Sequence, residues 1–121
     1  MRKIFILAGA ITLVSHVAAA ADASNGRALF ARCAACHTVA KGGGNGLGPN
    51  LFGVVGRKAS SLPNFSYSPA LKGSGITWTN DKLTVWITNP AKVAPGTRMA
   101  FGGISNPAQV ADVVAYLDTL K

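Results

Sequence analysis

The sequence predicts an all-α fold: one small domain of about three main helices plus short ones, joined by long loops. Two observations predict it. Three stretches carry apolar residues at helical spacing behind good helix-capping residues, and no parallel-sheet pattern lies between them. The second observation is the run Cys33-Ala34-Ala35-Cys36-His37, whose Cys-x-x-Cys-His spacing is the attachment pattern of a covalently bound haem. Two thiols one helical turn apart reach the two haem vinyl groups, and the next residue offers an imidazole to the iron. The long loops of the predicted fold then wrap a covalent haem.

The first helix is expected from about Ser24 to Cys36, with Ser24 or Asn25 as cap and Ala28, Leu29, Ala31 and Ala34 favouring it. The second begins near Thr79 and carries Leu83, Trp86 and Ile87 at helical spacing until Asn89-Pro90 ends it. In the third, Asn106 caps, Pro107 sits where its missing N–H costs nothing, and Val110, Val113, Val114, Leu117 and Leu120 form one apolar stripe. Between the first two lies Thr38 to Gly75, rich in Gly, Ser, Pro and Asn, with room for one short helix near Pro69-Ala70-Leu71. A compact domain rarely holds so long an irregular segment unless another body orders it, and the flat apolar face of haem is such a body.

The 121 residues allow one domain, preceded by an export segment. Arg2 and Lys3 make a basic start, Ile4 to Val14 an apolar stretch, and Val17-Ala18-Ala19-Ala20-Ala21 offers small residues for cleavage. Thr12, Ser15 and His16 interrupt the stretch and speak against a retained anchor. The expected division is a signal peptide over 1–20, cut after residue 20 or 21, and a haem domain over 21–121, soluble in the periplasm with no membrane span. Setting Arg2 and Lys3 aside leaves ten basic against four acidic residues, about +6, a charge suited to steering. The basic residues are scattered without a Lys/Arg-rich run, so nucleic acid is not expected as a partner.

Other uses of the two cysteines fit less well. A Cys33–Cys36 disulfide closes almost no loop and stabilises little. A structural zinc site needs about four ligands, and a thioredoxin-like pair expects a βαβ setting. With haem as the cofactor, the axial ligands follow by elimination, because His16 leaves with the export segment and only His37 and Met99 remain. A loop methionine is also a common apolar filler, and exclusion of a second histidine is what favours ligation. The second ring nitrogen of His37 needs an acceptor. Gly48-Pro49-Asn50-Leu51 is a candidate source through the Pro49 carbonyl, a plain turn being the other reading of that stretch. Filling both axial positions leaves no open site for oxygen or peroxide, which favours an electron carrier over an enzyme.

These residues carry a resemblance. Cys-Ala-Ala-Cys-His, Gly48-Pro49-Asn50-Leu51, Gly75-Ile76-Thr77-Trp78, Asn89-Pro90, Pro95-Gly96-Thr97-Arg98-Met99 and Ala115-Tyr116-Leu117 stand in the order and spacing of class I cytochromes c, which the chain resembles over nearly all of 21–121. The resemblance implies a small cytochrome c fold and one covalent haem c, with thioethers from Cys33 and Cys36 and the iron held by His37 and Met99. It also implies that Pro49 accepts from His37, and that Gly26 and Phe30 pack against Val113 and Tyr116. Arg57, Tyr67, Trp78 and Thr97 are implied around the haem propionates, with Phe101, Leu51, Leu83, Ile87 and Leu117 lining the pocket. Two positions depart from the family pattern: Trp86 replaces a tyrosine near the methionine sulfur, and Leu71 replaces an asparagine near the propionates.

The implied function is a soluble, monomeric one-electron carrier between membrane-bound or exported redox complexes. Partners would be acidic docking surfaces on a bc1-type complex, a terminal oxidase, a dehydrogenase or a reaction centre, met by Arg32, Lys41, Lys92 and Arg98 around the haem edge. The alternatives are a haem subunit of a larger redox enzyme, or a haem peroxidase or gas sensor should the methionine leave readily.

Overall fold

In a computed structural model of the chain, residues 4–13 and 20–121 are described. Arg2, Lys3 and 14–19, which hold much of the predicted export segment, lie outside the described residues. Over 4–13 the chain has no regular structure, and Ile4, Phe5, Ile6, Leu7, Ile11 and Leu13 are exposed. No helix among the described residues is long and apolar enough to cross a membrane.

The fold is all-α, as expected. Its helices, in chain order, are α1 (Ala23–Leu29), α2 (Ala31–Ala34), α3 (Pro69–Lys72), α4 (Asn80–Thr88), α5 (Pro90–Val93) and α6 (Pro107–Asp118). The predicted first helix runs as two, because ψ tightens to −15° at Phe30, between α1 and α2. It also starts earlier than expected. The Asp22 carboxylate accepts from the N–H groups of Ser24 and Asn25, so Asp22 is the cap and those two residues belong to the first turn. The caps expected for the other long helices are present: Thr79 accepts from Lys82 N–H, and Asn106 from Ala108 and Gln109 N–H ahead of Pro107.

The short helix near Pro69 is α3, capped by Ser68. Helix α5 was not foreseen. Asn89-Pro90 ends α4 and at once starts another turn, since the Asn89 side chain accepts from Lys92 N–H and Pro90 sits where its missing N–H costs nothing. The sole pairing of extended backbone among the described residues is one antiparallel bridge, Lys58 to Thr77, which closes the long irregular segment onto the approach to α4.

Helices α1 and α6 cross at closest range at Gly26. A Cβ there would lie 1.8 Å from the Asp112 carbonyl oxygen and 3.0 Å from Tyr116 Cβ, so only glycine permits the crossing. One turn on, the Phe30 and Tyr116 rings pack with centroids 5.3 Å apart. Beneath them Val110 and Val113, each 1% exposed, anchor a core shared with Leu83, Trp86, Ile87, Val114 and Leu117. Burying each such side chain contributes ~1.5–3 kcal/mol. The stripe foreseen on α6 is therefore its core face, apart from Leu120, which lies past the helix end at Asp118 and is half-buried. This core continues into the wall of a slot that the loops enclose.

Candidate haem site

A helical turn sets the covalent anchor points. Cys36 N–H and His37 N–H both donate to the Cys33 carbonyl, at 3.0 and 2.9 Å, so the Cys33–His37 segment is one continuous turn that starts on α2. The two cysteines are not paired with each other; Cys33 is half-buried and Cys36 exposed. Burial pushes the Cys33 thiol above the usual range, with neighbouring Arg32 opposing and Cys36 adding to the shift.

The imidazole of His37 is held from behind by a loop. Its Nδ1 lies 2.8 Å from the Pro49 carbonyl oxygen and donates to it, which leaves Nε2 without a proton and available as a ligand. Burial holds the His37 pKa below its ordinary value; the bond to Pro49 opposes this and Arg57 adds to it. The loop presses so close that a Cβ at Gly48 would lie 2.5 Å from His37 Cε1 and 2.7 Å from Nδ1. Gly48 N–H in turn donates to the Cys36 carbonyl at 2.8 Å, tying the loop to the anchor turn.

Asn50 organises the same loop from inside. It is 7% exposed; its Nδ2 donates to the carbonyls of Ala40 and Gly43, its Oδ1 accepts from Phe52 N–H, and its own N–H donates to Asn45 Oδ1. The loop that holds the Pro49 carbonyl against His37 is therefore itself held in place.

Met99 stands in a turn built by Gly96, whose φ of +90° suits glycine, and by Thr97, whose hydroxyl accepts from Met99 N–H at 3.3 Å. Met99, His37, Cys33 and Cys36 all border one slot of about 460 Å³. Pro49, Arg57, Tyr67, Trp78 and Thr97 border it too, so all nine predicted site residues meet in one place. The apolar lining expected from Leu51, Leu83, Ile87, Phe101 and Leu117 is present as well.

The slot is basic at its polar positions. Arg32, Arg57, Lys58 and Arg98 border it, and no Asp or Glu does so among the described residues. Arg57 donates from Nη2 to the Asn50 carbonyl at 2.9 Å and from Nη1 to the Phe52 carbonyl at 3.4 Å, and burial pulls its pKa down. Tyr67, 6% exposed, accepts at its hydroxyl from Leu62 N–H and packs edge-on to Phe65. Of the four surface cations expected around the edge, Arg32 and Arg98 border the slot, while Lys41 and Lys92 are exposed away from its wall.

The two departures fall in the wall. Trp86, 7% exposed, packs edge-on to Trp78 with ring centroids 5.1 Å apart, and Leu71 brings an alkyl side chain to the wall.

The chemistry of this lining suits haem: broad apolar faces for the macrocycle, cations for its two carboxylates, two thiols at one edge, and an imidazole nitrogen and a thioether bordering the same space. Among the described residues, no three His, Cys, Asp or Glu side chains gather as a separate metal site.

Sequence reasoning missed three contributors. Gly48 and Asn50 lay inside a quoted motif, but their roles need the loop's path over His37. Ser60, a half-buried residue of the slot wall, leaves no sequence signal.

Comparison with known proteins agrees with this fold. The family model for Cytochrome c matches residues 23–121. A cytochrome c of Trypanosoma brucei brucei is 51% identical over 82 residues, which are 68% of this chain and 88% of that protein. A cytochrome c homolog of Rickettsia felis is 44% identical over 99 residues, 82% of this chain, and the chain spans 57% of its length. Among solved structures, cytochrome cH from Methylobacterium extorquens is similar with a TM-score of 0.76 and 47% identity, covering 81% of this chain and 98% of that one.

Proposed function

The chain belongs to the cytochrome c family and carries one covalent haem c, and from that premise we propose that it is a diffusible one-electron carrier with the iron held between His37 and Met99. In this reading Cys33 and Cys36 form the thioethers. Support for the axial pair comes above all from one observation: His37 Nδ1 donates to Pro49 at 2.8 Å, while Met99 borders the same slot. An imidazole fixed in that tautomer has one free nitrogen and little freedom to direct it elsewhere.

Haem c bound there supplies a ferric–ferrous couple. The chain's own residues do the rest. Pro49, Gly48 and Asn50 hold His37 in one orientation, which would limit rearrangement when the bound haem changes oxidation state. The thioether of Met99 favours ferrous iron and raises the potential. Held by both His37 and Met99, the iron would offer no site to oxygen or peroxide, which favours a carrier over an enzyme.

In this reading residues 1–20 are removed on export, and the working protein is a soluble monomer in the periplasm. Exposed Arg32 and Arg98 at the slot border suit docking onto acidic surfaces of redox proteins. The test is a visible spectrum of oxidised and reduced holoprotein, with electron-transfer rates to an acidic partner read against salt. Low-spin bands with the weak far-red feature of a methionine–iron bond, and a rate that falls steeply with ionic strength, are the expected results. A high-spin ferric spectrum would overturn the ligand assignment, and a salt-independent rate would overturn the docking surface.

A further inference from the structure

Leu47 is the most exposed large apolar side chain among the described residues from 20 onward, at 84%. Val85, the other one that stands exposed there, does not border the slot, whereas Leu47 does. A lone exposed leucine needs no explanation in itself. Its mounting, its position and the charge around it distinguish this one.

The backbone mounts Leu47 rigidly. Gly46 N–H donates to the Gly48 carbonyl at 3.0 Å, so Leu47 stands in a tight bend. Gly48 N–H donates to the Cys36 carbonyl at 2.8 Å, and a Cβ at Gly46 would lie 2.6 Å from that same oxygen. Both flanks of Leu47 are thus pressed onto the turn that carries the cysteines. Behind it, Asn50 N–H donates to Asn45 Oδ1 at 2.8 Å and closes the loop. A side chain on so fixed a bend gives up little backbone freedom when a partner covers it.

Position and charge then select the partner. Exposed Cys36 borders the slot next to this bend, so a protein seated on Leu47 lies against the edge where the haem reading puts a thioether. Exposed Arg32, Lys58 and Arg98 border the slot too, and no Asp or Glu does so among the described residues. An apolar side chain with cations around the same opening is complementary to an apolar recess rimmed by carboxylates. A second copy of this chain would bring like charge to like. A lipid surface matches no better, because one leucine on a bend buries far less apolar area than the face of an amphipathic helix.

We propose that Leu47 inserts into an apolar recess, rimmed by carboxylates, on the redox protein that exchanges an electron with this chain. This rests on the carrier reading above and divides the work of the docking face. The cations speed encounter and lose their effect in salt, whereas Leu47 slows dissociation and keeps its effect when salt rises.

The experiment follows oxidation of the reduced holoprotein by a purified terminal oxidase across protein concentration and ionic strength. It compares the unsubstituted protein with Leu47→Ala and Leu47→Met. Leu47→Ala is expected to raise KM about three- to thirtyfold, in proportion to the apolar carbons removed from the contact. Leu47→Met keeps an apolar side chain of similar volume and should stay within about twofold of the parent. The slope of log rate against ionic strength should be the same in all three, because no charge has changed. Spectrum and reduction potential should also match across the three.

An unchanged KM in Leu47→Ala, or a deficit that disappears at high salt, would overturn the proposal. A changed spectrum or potential would assign Leu47 to covering the haem edge and overturn it as well. Weaker binding of Leu47→Ala to vesicles of anionic phospholipid, with oxidase kinetics unchanged, would make a lipid surface the occupant instead. An unsubstituted protein that passes no electron to the oxidase would count against the carrier reading and take the proposal with it. A fully active parent with an unaffected Leu47→Ala sinks the proposal alone, so the two failures are separable.

Discussion

Gly48 carries a constraint out of proportion to its size, because any side chain there would enter the space of the His37 ring, 2.5 Å from Cε1. The neighbour that would have to yield is the group we assign to the iron. Gly48→Ala in the holoprotein is therefore expected to weaken the histidine bond, seen as a new high-spin fraction in the ferric spectrum. It should also lower the unfolding free energy by about 1–3 kcal/mol, as overpacking does, read from the urea midpoint. An unchanged spectrum and midpoint would mean that the loop relaxes without touching the ring. Residues of this scale differ sharply in how far the sequence exposes them. Cys33, Cys36 and His37 are legible because their chemistry depends on spacing along one helical turn. Met99 is legible by scarcity, being one of two methionines, the other of which is Met1. Gly48 and Asn50 act through contacts across a folded loop, and these are not written in local spacing.

At the scale of elements, the crossing of α1 and α6 is held by a polar clasp as well as by Gly26. Asp112 Oδ1 accepts from Asp22 N–H at 2.8 Å and Oδ2 accepts from the Asn25 side chain at 2.6 Å. These two bonds, Asp22 first, hold the Asp112 carboxyl below its usual range. A carboxyl with a depressed folded pKa contributes stability above its unfolded value, and that contribution is lost as pH falls through the folded one. Asp112→Asn should thus be less stable than the parent at pH 7, and the difference should shrink on acidification below about pH 4. Urea midpoints of both holoproteins at pH 7 and pH 3 check this. A difference that stays constant with pH would show that the clasp works through packing rather than charge. The sequence exposed α6 almost completely, since its cap, proline and stripe are all local. It exposed α5 poorly because a proline marks both an end and a beginning, and only the Asn89 cap decides which. The α1 start was misread because Asp22 had to be recognised as a stronger local acceptor than Ser24.

Across the whole molecule, the core and the slot share their walls. Leu83, Trp86, Ile87, Val113 and Leu117 belong to the buried core and also border the slot, as do Phe30, Val54 and Trp78. A body filling the slot therefore completes the core instead of lying beside it. The loop from Thr38 to Gly75 has one four-residue helix and one bridge to order it. Its other backbone–backbone ties run to its own turns, to the anchor turn at Cys36, to Leu120, to Ile76 and to the wall residue Trp78. That is why fold class was legible while the loop's path was not: helices announce themselves by local periodicity, whereas this path depends on what it encloses. A polypeptide of this size gains little net stability from its own burial once chain entropy is counted. Removing covalent attachment should then remove the fold. A Cys33→Ala, Cys36→Ala variant is expected to lose most helical circular dichroism and its cooperative melt, and adding free haem should restore helicity only in part, because ligation by His37 and Met99 is no longer preorganised. Native helicity with a cooperative transition in that variant, before any haem is added, would show that the polypeptide alone closes its core and that the slot is preformed.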